Sequence, residues 1–153
     1  MENSLLSKVF KYLRKNKRPP EGWNNTKMVI NILGILLGLK YIHKHNIVHL
    51  DINPSTILLD SNFYPKISNF LACHIIDENS TDDLTKFCDA VYSAPEILIG
   101  NDHMHLQNSH ICDYAFKIDV YSIGMILYEF YSNYLPITRA KTALKKVKNV
   151  LKG

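Results

Sequence analysis

The chain has 153 residues, of which 46% are hydrophobic and 21% charged, a balance that excludes collagen-like, low-complexity and wholly disordered chains and suits one domain. Its 18 Lys and Arg against 14 Asp and Glu give a net charge of +4, placed unevenly along the chain. Residues 8–18 and 139–152 each carry six basic residues and no acid, whereas residues 19–138 hold six basic and thirteen acidic ones, which excludes a uniformly basic nucleic-acid binder.

Residues 1–10 lack a continuous apolar stretch, so no cleavable signal is expected. The longest apolar run, residues 28–39, is interrupted by Asn31 and closed by Lys40, too short to span a bilayer. Cys73, Cys88 and Cys112 cannot all pair within the chain. These features lead to the expectation of a soluble, cytoplasmic protein with free thiols and no membrane partner. His103, His105, His110 and Cys112 cluster without a partnering C-x2–4-C pair, so a His-rich polar loop is expected there and no functional metal site.

In chain order, residues 4–16 place Leu5, Leu6, Val9, Tyr12 and Leu13 on one face of an amphipathic helix, with Lys8, Lys11, Arg14 and Lys15 off it. Pro19, Pro20 and Gly22 end it. A second helix is predicted from Asn24–Thr26 to about His45, apolar nearly all round and therefore buried. Residues 47–49 form a short β-prone run, and residues 57–59 and 64–68 around a turn at 60–62 predict a hairpin. Residues 77–89 read as an acidic polar loop, residues 119–131 as a strongly apolar helix with Asp119 as its N-cap, and residues 138–151 as an amphipathic helix. The predicted fold is mainly α, in the α+β sense, with one small hairpin.

Three segments in order, and a helix start after them, carry a resemblance. His49-Leu50-Asp51-Ile52-Asn53-Pro54-Ser55-Thr56 resembles the catalytic loop H-R-D-L-K-P-x-N of eukaryotic protein kinases, of serine/threonine or tyrosine-kinase-like type. Lys66-Ile67-Ser68-Asn69-Phe70 resembles the approach to the kinase D-F-G, and Ala94-Pro95-Glu96 is identical to the A-P-E that closes the activation segment. Asp119-Val120-Tyr121-Ser122-Ile123-Gly124 resembles the start of the buried central helix of the large lobe. The order of these segments carries the match, together with the spacings of 18 residues from Asp51 to Asn69 and 27 from Asn69 to Glu96.

The resemblance implies a truncated kinase-like C-lobe over residues 1–153, from just after the hinge to just past the central helix, with the N-lobe absent. Asp51 stands at the position that accepts the substrate hydroxyl proton. Asn53 stands for the lysine that contacts the γ-phosphate, and Thr56 for an asparagine that holds Mg²⁺. Asn69 stands for the aspartate that bridges Mg²⁺ to the phosphates, and Leu71 for the glycine whose φ is free, unless one residue is deleted there. Leu50 replaces the arginine that receives a phosphorylated activation loop, so phosphate on Ser80, Thr81 or Thr85 would find no such partner. Glu96 would need an arginine from later helices, a part that Arg139 is not placed to play. His49, Ala94, Pro95, Glu96 and Asp119 are expected to be structural. Mg-ATP is the family's cofactor, but with these substitutions no cofactor is expected to bind well. The expected function is that of a kinase homologue inactive as this chain, a pseudokinase or truncated fragment, of marginal stability and with protein partners on its uncovered lobe surfaces. The alternatives are an active serine/threonine kinase completed by an N-lobe supplied elsewhere, and an unrelated helical interaction module.

Overall fold

The computed structural model describes residues 4–16, 18–76, 91–95 and 111–136. The expected acidic loop at 77–89, Glu96, the histidine cluster at 103–110, Cys88, Arg139 and the helix at 138–151 lie outside them.

A strand β1 (Ser4–Leu5) leads into helix α1 (Leu6–Asn16). Leu6, Val9 and Phe10 are the buried residues of α1, so the helix turns Phe10 inward and leaves Tyr12 at 38% exposure. Phe10 is drawn in by Phe130, whose ring meets it edge-on at 4.6 Å between centroids.

Helix α2 (Asn25–Lys44) opens on Asn24, whose side chain accepts the Lys27 N–H at 2.9 Å. Lys44 in its last turn complements the negative end of the helix dipole, and Asn46, left-handed at φ 57°, ends it. Asn31, the polar break in the apolar run, is fully buried and donates to the carbonyls of Lys27 at 2.9 Å and Phe63 at 2.7 Å. It thereby ties α2 to the turn of the hairpin. The hairpin lies close against α2 because Gly34 and Gly38 face it: a Cβ on Gly34 would stand 2.5 Å from Pro65 Cγ, and one on Gly38 3.0 Å from Ile67 Cδ1.

The expectation that α2 is buried all round is corrected. Ile35, Leu39 and Ile42 are buried with Asn31, but Val29, Leu33, Leu36, Leu37 and Tyr41 are 42–66% exposed. By length and composition the whole helix would also suffice to cross a membrane, which the shorter run 28–39 would not. In this fold its buried face belongs to the core.

Strands β3 (Ile57–Leu59) and β4 (Pro65–Ile67) form the predicted hairpin, with Ile57 opposite Ile67. Ile57 and Leu59 are fully buried and Leu58 between them is half-buried, the two-residue period of a strand with one inward face. Asp60 shapes the turn by accepting the N–H groups of Asn62 at 2.8 Å and Tyr64 at 2.9 Å. Those bonds, that of Tyr64 first, hold its carboxyl below the ordinary 3.8, with Lys66 and Lys27 adding to the effect. β1 adds a third strand to β3, Ser4 facing Leu59, a pairing hidden in the sequence by the helix that follows at once.

A second ladder joins β2 (Ile47–Val48) to β5 (His74–Ile75), with Ile47 opposite Ile75. It sets the loop after β2 beside the loop before β5.

Helix α3 (Ile111–Ser132) crosses beneath both loops. Its buried residues Ala115, Ile118, Ser122, Ile123, Ile126 and Phe130 recur at three- and four-residue spacing. It begins eight residues before Asp119, so Asp119 is no N-cap; the apolar period continues upstream through Ile118 and Ala115. One core cluster joins Leu6, Phe10, Trp23, Ile35, Ile57, Ile126 and Phe130; a second joins Val48, Leu50, Ala72, Ala94, Ala115 and Ile118. Each Val, Leu, Ile or Phe side chain among them contributes about 1.5–3 kcal/mol by burial.

Candidate functional site

The loop after β2 is held from below by Asp119, which is fully buried. Its carboxylate accepts the N–H groups of His49 and Leu50, each at 2.8 Å, and the His43 Nε2–H at 2.8 Å. The donor set explains why a carboxylate survives in an apolar helix: an ion without such partners would be far too costly to bury. The bond to Leu50 also holds that residue left-handed at φ 64°, a conformation that costs a residue with a Cβ roughly 1–2 kcal/mol. The Leu50 side chain is 4% exposed within the second core cluster, so it fills space where the family motif has a cation.

His49 is fully buried. Its Nε2–H donates to the Ser68 carbonyl at 3.0 Å, and its Nδ1 accepts the Asp51 N–H at 3.3 Å. One tautomer serves both bonds. The ring of Phe70 lies edge-on to it at 5.1 Å. His49 therefore joins the two loops across the β2–β5 ladder.

Above this support the structure brings Asp51, Asn53, Thr56 and Asn69 together. The Asn53 amide donates to Asp51 Oδ1 at 2.7 Å and to the Asp51 carbonyl at 3.2 Å, while its own oxygen accepts the Ser55 N–H at 2.8 Å. The Asn69 amide reaches the other carboxylate oxygen at 3.4 Å, a long bond. Thr56 is 3% exposed. Its hydroxyl proton faces the carbonyls of Asp51 at 2.8 Å and Asn53 at 3.0 Å, and its oxygen accepts the Asn53 N–H at 3.1 Å. The three polar substitutes are thus turned toward Asp51 and the loop's own backbone.

Asn69 is left-handed at φ 64°, which asparagine tolerates well. Leu71 sits instead in the 3₁₀ turn Phe70–Ala72 and is 92% exposed, so the backbone freedom expected at position 71 is taken up at position 69. Ala94 is fully buried and Pro95 half-buried above α3.

Reading the sequence missed a second polar group. Glu129, 1% exposed on α3, pairs with Arg14 of α1 and accepts the Tyr92 hydroxyl. An acid near the end of the apolar run 120–131 was the available signal, as was His43 for the Asp119 network.

A magnesium nucleotide needs several hard, charged oxygens and at least one cation near the phosphates. The assembled set offers one carboxylate, two amides and a hydroxyl spent on the loop. Among the described residues, this set does not fit that cofactor.

Residues 1–152 match the sequence pattern of the Protein kinase domain. Over 96 residues the chain is 38% identical to a protein of Encephalitozoon cuniculi described as "Probable serine/threonine-protein kinase MRK1 homolog", covering 63% of this chain and 27% of that protein. Over 128 residues it is 27% identical to a second protein of that organism, described as a "Probable cell division protein kinase", covering 83% of this chain and 44% of that one. The chain thus spans less than half the length of these relatives. The fold is similar to a chain of the yeast RNA Pol II CTD kinase CTDK-1 complex, with a TM-score of 0.75 at 22% identity, over 99% of this chain and 44% of that one.

Proposed function

This chain belongs to the protein kinase domain family, and we propose that it is a large-lobe unit related to serine/threonine kinases that has kept the lobe's framework, lost phosphate transfer, and works through protein partners. The observation that carries this reading is the amide pair on Asp51: Asn53 and Asn69 donate to its carboxylate where the family motif has a phosphate-binding cation and a metal-binding acid.

Phosphoryl transfer consists mostly of positioning and charge neutralisation. Asp51 remains as a proton acceptor, but its oxygens face amide donors, and no side chain of the set opposes phosphate charge. Losing one preorganised charge costs about 2.7–4 kcal/mol, a factor of 10²–10³ in rate. Several such losses, even when less than additive, bring the rate near background. The same changes weaken Mg-ATP affinity.

The test is γ-phosphate transfer from Mg-ATP to a generic protein substrate by the full chain. No transfer above that of the Asp51→Asn variant is expected. A second reading, an active serine/threonine kinase completed by a small lobe supplied elsewhere, draws on the presence of Asp51 and the tight Asp119 support below it. Transfer that is lost in Asp51→Asn would overturn the first reading, and transfer that appears only when a kinase small lobe is added would establish the second.

A further inference from the structure

The outward face of α2 has no part in the site above, which lies on the loops after β2 and before β5. Val29, Leu33, Leu36, Leu37 and Tyr41 are 47%, 53%, 42%, 65% and 66% exposed. At about 100° per residue they fall in one stripe, opposite the buried Asn31, Ile35, Leu39 and Ile42. A contiguous apolar stripe of this kind on a protein surface marks an interaction site.

The stripe also carries charge. Lys40 and Lys44, both exposed, lie within it at its C-terminal end, one and two turns beyond Leu36. Helix α2 contains no Asp or Glu to answer them.

We propose that this stripe docks an amphipathic helix of a partner protein whose apolar side chains rest on Leu33 and Leu37 and whose acidic residues pair with Lys40 and Lys44. The charge pattern selects this occupant. A second copy of the chain, packing α2 on α2, would bring lysines and no carboxylate to the contact. A membrane surface would accept the leucines, but interfacial helices carry their cations on the face opposite the apolar one. Here the lysines stand within the stripe and would be carried toward the acyl region. An acidic amphipathic helix meets both the apolar and the cationic part, by anchors at three- and four-residue spacing.

The test uses the full chain and four probes. The first is a fluorescent helical peptide with leucines at that spacing and glutamates at one end of its apolar face; the second is the same peptide with lysines for the glutamates. The third is a phosphatidylserine-containing vesicle, and the fourth is the chain itself in sedimentation velocity. The glutamate peptide binds, more weakly as salt rises, and at least about tenfold more tightly than the lysine peptide. Leu33→Asp with Leu37→Asp abolishes binding with unchanged circular dichroism, since both residues are exposed. Lys40→Glu with Lys44→Glu reverses the preference between the peptides. Equal affinity for the two peptides overturns the proposal, as does no binding of the glutamate peptide at millimolar concentration. Vesicle binding or self-association that disappears in the Leu33→Asp, Leu37→Asp variant assigns the face to a membrane or a second copy and overturns it too. Phosphate transfer measured in parallel separates this outcome from that of the inactive-lobe reading.

Discussion

The two sides of the loop at residues 49–56 contrast. Below it, Asp119, His43 and His49 make short bonds that satisfy buried backbone and ring donors. Above it, the phosphate- and metal-facing groups of the family motif, two of them charged, are replaced by Asn53, Thr56 and Asn69, which bond to Asp51 and to the loop backbone. A buried network cannot lose a member without leaving an unpaired polar group, so folding itself preserves it. A phosphate-facing charge has no such duty, and an amide that finds a neighbour there leaves the fold intact. On the proposed reading, the framework and the phosphate chemistry of a kinase domain part company within a few residues.

Breaking the lower side should have the largest effect. Asp119→Ala strips the acceptor from two buried N–H groups and from His43, and releases Leu50 from its left-handed conformation; a loss of about 3–5 kcal/mol is expected by urea denaturation. A loss below about 1 kcal/mol would mean that the network is not what holds the loop. Gly34→Ala tests the same framework through shape. Its Cβ would stand 2.5 Å from Pro65 Cγ, and about 1–3 kcal/mol is expected from overpacking in the same measurement.

On the upper side, Asn69→Asp replaces a donor with a second carboxylate beside Asp51. The repulsion is worth about 1 kcal/mol at an exposed site, and millimolar Mg²⁺ should recover it in this variant while leaving the unmodified chain unchanged in thermal melts. Equal Mg²⁺ response in both chains would show that position 69 does not govern a cation there.

The smallest effect belongs to the hairpin turn, remote from both sides. Asp60 has its carboxyl held low by the Tyr64 and Asn62 N–H groups, so the stability it contributes is present above about pH 4 and fades as pH falls through its folded value. Asp60→Ala should remove that fading from the acid limb of the denaturation profile and leave the profile above pH 5 parallel to that of the unmodified chain.

Much of this was legible in the sequence, and the rest was hidden for physical reasons. The hairpin at 57–67 and α2 follow from turn residues and apolar period, and the kinase-like loops from residue order and spacing. The start of α3 was not legible, because Asp119 is a good N-cap type and only the carboxylate's distant partners show that it serves another segment. The exposed stripe of α2 was equally hidden: composition cannot tell a helix buried all round from one with an uncovered apolar face. The cluster of Asp51, Asn53, Thr56 and Asn69 was readable by resemblance, but the amide bonds to Asp51 needed coordinates.

The most direct test is the melting temperature of the full chain with and without Mg-ATP. A ligand at 100 times its Kd adds about 2.7 kcal/mol, a shift of several degrees for a domain of this size. No shift is predicted, because the groups around Asp51 spend their bonds on one another. A shift of several degrees in Mg-ATP that disappears in Asp51→Asn would contradict the account.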